Sequence, residues 1–502
     1  MKKTKRFSKK QDIDGKRKTL YNLGILQIVV KLHVSRITFH VLRRKNALRL
    51  NTTLGANMNF SYEIYPKIIP VGAEAEISML GNEPAFKPHQ TYSIHAFSKV
   101  NLWEETRLEV EADADGFIRF CLLFQTQGEY LVNVYRTAED KLITAHLFAA
   151  RPDLARRKAY KGDMHIHTHY SDGRQSPIYM AVRAKELGLD FIAITDHDKY
   201  QPSLEAIEEA KKIGLNLLLF PGEEVSVREG CGHFVALCTS DWVAGQKSNA
   251  EIYDKEYRHI LENELKDKTV AEFARIQEGL SKEKYAHAVW TVKKIHEFGG
   301  YAVLAHPYWV AGQKFHLNRP VYGQLLNDGL YDAVELLGDV APEDNLLSIA
   351  KYFEEVAKGK HSSSFLFDQT FSFRKRKSLE GRKIPIIGNS DTHRSHEHTY
   401  GRYWTLVFAE KLAQEEIFDA IFDLKSVACE HHPGENLRIY GSFDLVEYAF
   451  FLHREFFPLH DKICAKEGEL YMRSLNGEEP DHRELERLKV ELDELYEKTW
   501  GE

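Results

Sequence analysis

The 502-residue sequence predicts a multidomain α/β protein, with a small all-β domain, then a barrel or closed α/β sheet, then helices. Three patterns predict this order. Short alternating apolar runs separated by turn residues occupy residues 58–150, strand and helix patterns alternate over 161–440, and helical spacing dominates 441–502. A chain of this length is too long for one ordinary domain, and roughly two to four are expected.

Composition describes a globular protein and excludes several classes. An apolar fraction of 43% with only 15 prolines argues against disorder, and the net charge of −6 calls for neither a nucleic-acid nor a membrane partner. The five cysteines are scattered and lack the CxxC spacing of structural zinc sites. We therefore expect a cytoplasmic protein without a membrane segment, for which a homo-oligomer stays open and a nucleic-acid partner is disfavoured.

Residues 1–57 differ from the rest of the chain. Met1 to Lys18 is dense in lysine and arginine, and the apolar run Leu23 to Val30 is too short to span a bilayer. A solvated basic tail and a nucleic-acid-binding arm are two interpretations. We favour a third, in which this extension is not native and translation starts at Met58, because clear strand patterning begins immediately after it.

Residues 58–150 are typical of a small antiparallel sandwich. Seven alternating runs, between Phe60 and Phe148, are separated by turn residues, and Gly128 to Val134 resembles a late strand of an immunoglobulin-like module. This segment contains no clustered metal ligands, so its role is left open. Pro152 to Lys161, rich in arginine and lysine, is predicted to be a linker.

The chemistry is predicted from one stretch, Asp163 to Gly173. On a strand, His165 and His167 project from the same face and can bind one metal ion, although such a pair taken alone is more often solvated. Further metal-binding side chains each follow an apolar run, and in a barrel of parallel strands those ends meet on one face. The side chains at or just past such ends are His165, His167, His197, Glu224, His306, Asp391 and His393.

Six motifs stand in a fixed order between Lys161 and Val427. They are His-x-His with Ser-Asp-Gly, Thr-Asp-His-Asp, Gly-Glu-Glu-Val-Ser, Gly-His-Phe, Ala-His-Pro and Asn-Ser-Asp-Thr-His. Together they resemble the polymerase and histidinol phosphatase (PHP) family of phosphoesterases. The resemblance implies a distorted (β/α)7 barrel similar to a TIM barrel, holding two or three divalent ions. The ligands it implies are His165, His167, Glu224 and Asp391 for one ion, Glu224, His233 and His306 for a second, and Asp172, His197 and His393 for a third.

The ligand types indicate the metal and the reaction. Imidazoles with carboxylates suit zinc, manganese or iron, and a carboxylate such as Glu224 can bridge two cations. Paired cations lower the pKa of a shared water, so we predict a metal-bridging hydroxide as the nucleophile. Asp172, His197 or a metal-bound water would protonate the leaving group. Three divalent ions outweigh three ligand carboxylates, which favours an anionic substrate.

Other polar residues receive less specific roles. Asp163 and Asp196 are interpreted as residues that orient imidazoles, with a solvated role as an equal alternative. Arg402 is a candidate phosphate ligand, although a surface ion pair is favoured over that role. Three loop histidines and a basic run are interpreted as solvent-facing: His169, His396, His398 and Arg374 to Lys377.

Two insertions and a tail complete the prediction. A helical insertion, about 241–284, is expected to cap the barrel mouth, and Ser362 to Arg382 forms a second insertion. The tail from Phe443 is predicted to form two helices that dock on the domain.

The function predicted is that of a PHP-type phosphoesterase acting on small phosphorylated or nucleotide-like substrates. Two alternatives stay open. The same metals would serve a hydrolase of carboxyl or carbamate esters or of amides, as in a related PHP-like branch, and a non-catalytic protein would keep the pocket for ligand binding.

Overall fold

The computed structural model describes residues 62–82, 85–266, 281–317, 321, 324–325, 330–358, 384–395 and 400–501. The predictions made for residues 1–57, for 362–382, and for His396 and His398 fall outside these ranges.

The first part of the chain forms two β-sheets around one apolar core. Alternate side chains of each strand point inward, as Tyr92, Ile94 and Ala96 do, and the two sheets have the strand orders β1-β3-β6 and β2-β8-β7-β4-β5. The seven runs predicted as strands overlap observed strands, whereas β2 was missed because three residues are too few to show alternation. The strands are β1 (Tyr62–Tyr65), β2 (Ile68–Pro70), β3 (Glu74–Gly81), β4 (Thr91–Ser98), β5 (Glu105–Glu111), β6 (Phe117–Leu123), β7 (Gly128–Thr137) and β8 (Asp140–Ala150).

The predicted linker is wrong over most of its length. Pro152–Ala155 forms a short helix, α1, and Lys158–Ile166 forms a strand, β9, that lies between two others in its sheet. The sequence analysis missed this strand because charged residues interrupt its apolar pattern. Lys161 is only 5% exposed, because its ammonium pairs with Asp461 of the C-terminal region.

Two mixed sheets make up the α/β part of the chain. Their strand orders are β11-β10-β9-β19-β20-β21 and β12-β13-β14-β17-β18, with β15 and β16 in a separate hairpin. The strands after β9 are β10 (Phe191–Ile194), β11 (Leu218–Phe220), β12 (Gly222–Ser226), β13 (His233–Leu237), β14 (Tyr301–Leu304), β15 (Val310–Ala311), β16 (Lys314–Phe315), β17 (Ala333–Leu337), β18 (Ile386–Gly388), β19 (Tyr403–Ala409), β20 (Ser426–Glu430) and β21 (Arg438–Tyr440).

Strand direction departs from the all-parallel arrangement that the sequence prediction assumed. The pairs β9–β10, β10–β11, β14–β17 and β17–β18 are parallel, but β12, β13, β19, β20 and β21 enter antiparallel pairs. A strand buried on both faces is the same apolar run whether it pairs parallel or antiparallel with its neighbour. The sequence pattern therefore does not predict the direction of a strand in its sheet. Two isolated bridges connect the two sheets: Ile166 of β9 pairs with Thr392, after β18, and His197, after β10, pairs with Glu224 of β12.

Helices cover these sheets and form the end of the chain. The helices after α1 are α2 (Pro177–Glu186), α3 (Gln201–Ile213), α4 (Val243–Ser248), α5 (Ala250–His259), α6 (Lys282–Glu297), α7 (Pro342–Lys358), α8 (Gln414–Phe422), α9 (Phe443–Glu455), α10 (Phe457–Leu475) and α11 (His482–Trp500). None of the helices in the described part of the chain combines the length and apolar character that a bilayer crossing requires.

The predicted helical insertion and tail each differ in detail from the structure. The insertion contains α4 and α5, and Lys247 and Trp242 bind Asp198 beside the candidate site, while 267–280 lie outside the described residues. The tail contains three helices, not two. Phe456 leaves helical geometry, with φ −121° and ψ −56°, and Pro458, which has no N–H, restarts the helix.

Buried ion pairs hold the tail against the rest of the chain. Lys185 of α2 lies 3.2 Å from Glu467 of α10, and both side chains are almost fully buried. On the other side, Arg454 of α9 reaches Glu129 of β7, whose carboxylate also accepts hydrogen bonds from Lys99 and His146. Glu129 is only 7% exposed, so a largely buried carboxylate connects the first sheets to α9.

We predict that the stability contributed by Glu129 depends on pH. Burial raises the pKa of this carboxyl, but hydrogen bonds from His146 and Lys99 and the charge of Arg454 outweigh burial and lower it from 4.5 to about 2. A lowered pKa means that the stabilisation is complete above pH 4.5 and is lost as the pH falls through about 2. Glu129→Gln should therefore cost about 2 kcal/mol in urea unfolding at pH 7.

The matched control is Glu109→Gln, which changes an exposed carboxylate on β5 and should shift the unfolding free energy by less than about 0.5 kcal/mol. The Glu129→Gln deficit should shrink progressively below pH 4.5. A deficit that stayed constant down to pH 2 would contradict this account of the contact.

Candidate metal centre

The nine side chains predicted as metal ligands lie together in the structure. Three overlapping groups of ligand atoms each fit within 4.8 Å: His165, His167, Glu224 and Asp391; His197, Glu224 and His233; and His167, Asp172, His197 and His393. The ninth side chain, His306, places Nε2 2.9 Å from Glu224 Oε1.

Glu224 is the centre of this arrangement. Nitrogen atoms of five imidazoles lie 2.7–3.3 Å from its two carboxylate oxygens. His165 of β9 and His167, directly after that strand, face Oε2, and His233 and His306 face Oε1 from the other sheet. One carboxylate therefore joins the ligand atoms of both sheets.

The strands bring these residues together. Glu224 lies within β12, His306 follows β14, and Asp391 follows β18. His306 has a φ of +24° and Asp391 a φ of +51°, values that side chains other than glycine rarely adopt. The surrounding structure therefore holds both residues in a strained backbone conformation.

The donor atoms fit cations better than they fit one another. Within the described residues, His165 Nε2, His197 Nδ1, His233 Nδ1 and Glu224 Oε2 are buried and make no hydrogen bond. Some of these atoms lie within 2.8 Å of each other, as His197 Nδ1 and Glu224 Oε2 do, yet their geometry is not that of a hydrogen bond. Nitrogen and carboxylate lone pairs that converge in this way suit zinc, manganese or iron.

The electrostatics of the group also call for cations. Burial raises the pKa of the Glu224 carboxyl, but the charges of His233 and His165 outweigh burial and hold this pKa well below its usual range. Burial lowers the pKa of His165, and the charges of Glu335, Asp391 and Glu224 reverse that effect and raise it. The carboxylates are thus stable as anions only beside positive charge, which protons or metal ions can supply.

Exposure increases from one side of the centre to the other. His165, His167 and Glu224 are completely buried, whereas the Asp172 side chain is 55% exposed and the side chains of His197 and His393 are about 30% exposed. The third group therefore forms the open edge of the centre, where a substrate can reach it.

The structure distributes the side chains somewhat differently from the family-based grouping. His197, assigned by resemblance to the third ion alone, also places Nδ1 2.8 Å from Glu224, and His167 belongs to both the first and the third groups. Two imidazoles are thus shared between neighbouring groups.

One carboxylate at this centre was missed by the sequence analysis. Glu335 of β17 lies 2.8 Å from His165 Nδ1 and accepts hydrogen bonds from the backbone N–H of His306 and from Asn389 Nδ2. Because Nδ1 of His165 donates to this carboxylate, the lone pair of its Nε2 is directed at Glu224 and Asp391. The signal was a single acidic residue within the apolar strand Ala333–Leu337.

The roles predicted for Asp163 and Asp196 need correction. Asp163 accepts hydrogen bonds from the backbone N–H groups of His165 and Ser390, and burial raises the pKa of this carboxyl to about 7. Asp196 accepts from backbone and hydroxyl groups of Thr168 and Ser171. Both carboxylates orient the backbone around the motif, rather than an imidazole ring.

Two other predicted side chains lie near the motifs. His169 is exposed and donates from Nδ1 to the carbonyl of Gln175. Arg402 precedes β19 and is half-buried, and its carbonyl accepts a hydrogen bond from the N–H of His431. Burial, followed by the charge of Arg183, lowers the pKa of Arg402. Phosphate binding by Arg402 stays a prediction.

Comparison with known proteins identifies the family of this region. Residues 163–341 match the family model of the PHP domain, so this part of the chain is a PHP domain. A 5′–3′ exoribonuclease of Escherichia coli is 44% identical over 64 residues, which are 13% of this chain and 22% of that protein. The chain thus spans about a fifth of this relative (22%). A 5′–3′ exoribonuclease of Haemophilus influenzae is 29% identical over 190 residues, which are 29% of this chain and 69% of that protein.

A solved structure is also similar. A two-domain protein of Bacteroides vulgatus, described as containing a predicted PHP-like metal-dependent phosphoesterase, is 20% identical, with a TM-score of 0.37 over 60% of this chain and 71% of that protein.

We predict that Glu335→Gln weakens metal binding. The substitution keeps the shape of the side chain and removes the charge that orients His165, so the affinity for Mn²⁺ or Zn²⁺ should fall about 10-fold to 100-fold. Competition with a chromogenic chelator measures this affinity. Glu343→Gln, at an exposed carboxylate in the first turn of α7, is the matched control, and equal affinities of the two variants would contradict the role of Glu335.

Proposed function

We propose that the protein is a metal-dependent hydrolase, and specifically a phosphoesterase that acts on small phosphorylated or nucleotide-like substrates. The observation that supports this proposal most strongly is the convergence of five imidazoles on the buried Glu224 carboxylate. The exoribonuclease relatives add to it, because enzymes so named act on RNA.

We assign the ions to the groups of side chains described above. His165, His167, Glu224 and Asp391 would hold one ion, and Glu224, His233 and His306 a second, with Asp172, His197 and His393 available for a third. Bound divalent ions supply an acidified water as nucleophile and withdraw charge from the nonbridging oxygens of a phosphoester.

The protein's own residues orient the groups around the reaction. Glu335 holds the His165 ring, and the fully buried positions of His165, His167 and Glu224 keep bulk water away from one side. On the open side, His197 Nε2 lies 3.5 Å from the exposed Asp172 carboxylate. Where no third ion occupies this group, we propose that this pair carries the proton that the leaving group needs.

The net charge of the centre depends on the number of bound ions and determines which substrates it favours. Three divalent ions bring about six positive charges, which exceed the four negative charges of Asp172, Glu224, Asp391 and Glu335 and favour an anion. Asp198 adds nothing to this sum, because Lys247 pairs with it at 2.6 Å. With two ions the sums nearly cancel, and a carboxyl or carbamate ester then becomes an acceptable substrate, which is the second candidate function.

We extend the proposal to the architecture. The two mixed sheets would close as a distorted (β/α)7 barrel over 161–440, residues 58–150 would form an immunoglobulin-like sandwich, and 441–502 would form a helical C-terminal unit.

The proposed reaction can be tested with a substrate panel. Protein stripped of metal and reloaded with Mn²⁺, Zn²⁺ or Fe²⁺ should hydrolyse phosphomonoesters or nucleotide phosphodiesters, and chelation should abolish turnover. Glu224→Gln should lower kcat/KM by about a thousand-fold or more, because it removes the charge shared by two groups of ligands. His169→Ala, at an exposed histidine of the same motif, should stay within about twofold of the unchanged protein.

The panel also contains carboxyl esters, carbamates and amides, and the bound ions are counted by mass spectrometry. Turnover of these compounds alone, with two ions bound, would replace the phosphoesterase proposal with the second candidate. A folded, metal-loaded protein that binds phosphoesters but turns over nothing in the panel would contradict both.

A further inference from the structure

A short hairpin stands directly against the candidate metal centre. It consists of β15 and β16, and it follows His306 after only three residues. The backbone N–H of Trp309 donates to the carbonyl of His306, and the N–H of His316 donates to the carbonyl of Trp309. Gly312 and Gln313 form a two-residue turn with positive φ values of 55° and 71°, as tight hairpins require. The hairpin is therefore firmly connected to a ligand residue.

Two aromatic side chains that flank this hairpin contact the imidazoles of the centre. The Trp309 ring centroid lies 5.2 Å from that of His306 and 6.0 Å from that of His233, and the His316 centroid lies 4.5 Å from that of His233. The Trp309 and His316 rings meet edge to face at 4.9 Å. We call this pair of rings, Trp309 and His316, the ring wall.

Both side chains of the ring wall can make further contacts. Trp309 is half-buried, so part of its indole remains accessible beside the centre. Nδ1 of His316 is buried and makes no hydrogen bond with the residues that the structure describes. A partly open aromatic face next to an unpaired imidazole nitrogen suits a ligand that is planar and carries polar ring atoms.

We propose that the ring wall binds the planar ring of the substrate's leaving group, a nucleobase or a similar aromatic ring. This inference rests on the proposed hydrolase and specifies its substrate class. His233 and His306 hold the wall next to the Glu224 carboxylate, so a ring on Trp309 lies one ligand residue away from the reacting ester. Any nucleobase can stack on an aromatic side chain. The ring wall would therefore select substrates that carry a planar ring without distinguishing one base from another.

The test compares two phosphomonoesters that differ only in the base. Adenosine 5′-monophosphate and ribose 5-phosphate carry the same phosphate, and the metal-loaded protein should prefer the nucleotide by about tenfold or more in kcat/KM. Trp309→Ala should bring that ratio close to one while changing kcat/KM for ribose 5-phosphate little. Trp309→Phe, which keeps a ring, should retain most of the preference, and it also covers the case in which the alanine variant fails to fold.

Trp103→Ala is the matched control, since this tryptophan is 93% exposed between β4 and β5. Removing it should leave the ratio unchanged. His316→Ala should lower the ratio as well, whereas a wall that merely packs against the metal ligands would alter metal content and both substrates alike. A nucleotide preference that survived Trp309→Ala would overturn the inference.

Binding separates this inference from the proposed function. If the unchanged protein hydrolyses neither compound, the phosphoesterase proposal fails for them. Calorimetry of both compounds with metal-loaded protein then tests whether the ring wall binds the base. Tighter binding of the nucleotide that disappears in Trp309→Ala supports the wall. Equal binding of the two compounds by the unchanged protein refutes it.

Discussion

The arrangement depends on one buried carboxylate that cannot exist alone. Glu224 is fully buried and carries a pKa held well below the usual range by the imidazoles around it. An unpaired charge at that depth would cost several kcal/mol, a large part of the stability of a typical folded protein, so positive charge is expected beside it. Both mixed sheets send imidazoles to its two oxygens, and one of these imidazoles belongs to His306, whose backbone has a positive φ.

The convergence of these histidine and carboxylate side chains was predictable from the sequence, because it depends on residue identity and local period. His165 and His167 alternate on a strand, and side chains such as His306 directly follow apolar runs. Neighbouring strands bring distant residues together whether they run parallel or antiparallel. The prediction that these side chains lie together was therefore correct even though the assumed strand directions were not. The alternating runs of the first sheets were readable for a similar reason, since one face of each strand is buried.

Features that depend on three-dimensional neighbours were not predictable. Lys161 was assigned to a linker because nothing in the sequence indicates that Asp461, 300 residues away, neutralises it inside a strand. Glu335 gave only a weak signal, an acid within an apolar strand, and its role became evident from its contact with His165. Asp163 and Asp196 were placed beside the correct motif with the wrong partners, because a carboxylate's hydrogen bonds to backbone leave no pattern in the sequence.

The central claim is that divalent cations sit at Glu224, and anomalous diffraction from crystals grown with Mn²⁺ tests it most directly. We expect an anomalous peak about 2 Å from the Glu224 carboxylate and within bonding distance of His165, His167 and Asp391. A second peak should lie between Glu224, His233 and His306. Manganese bound only elsewhere, with the Glu224 carboxylate surrounded by imidazoles alone, would contradict the account.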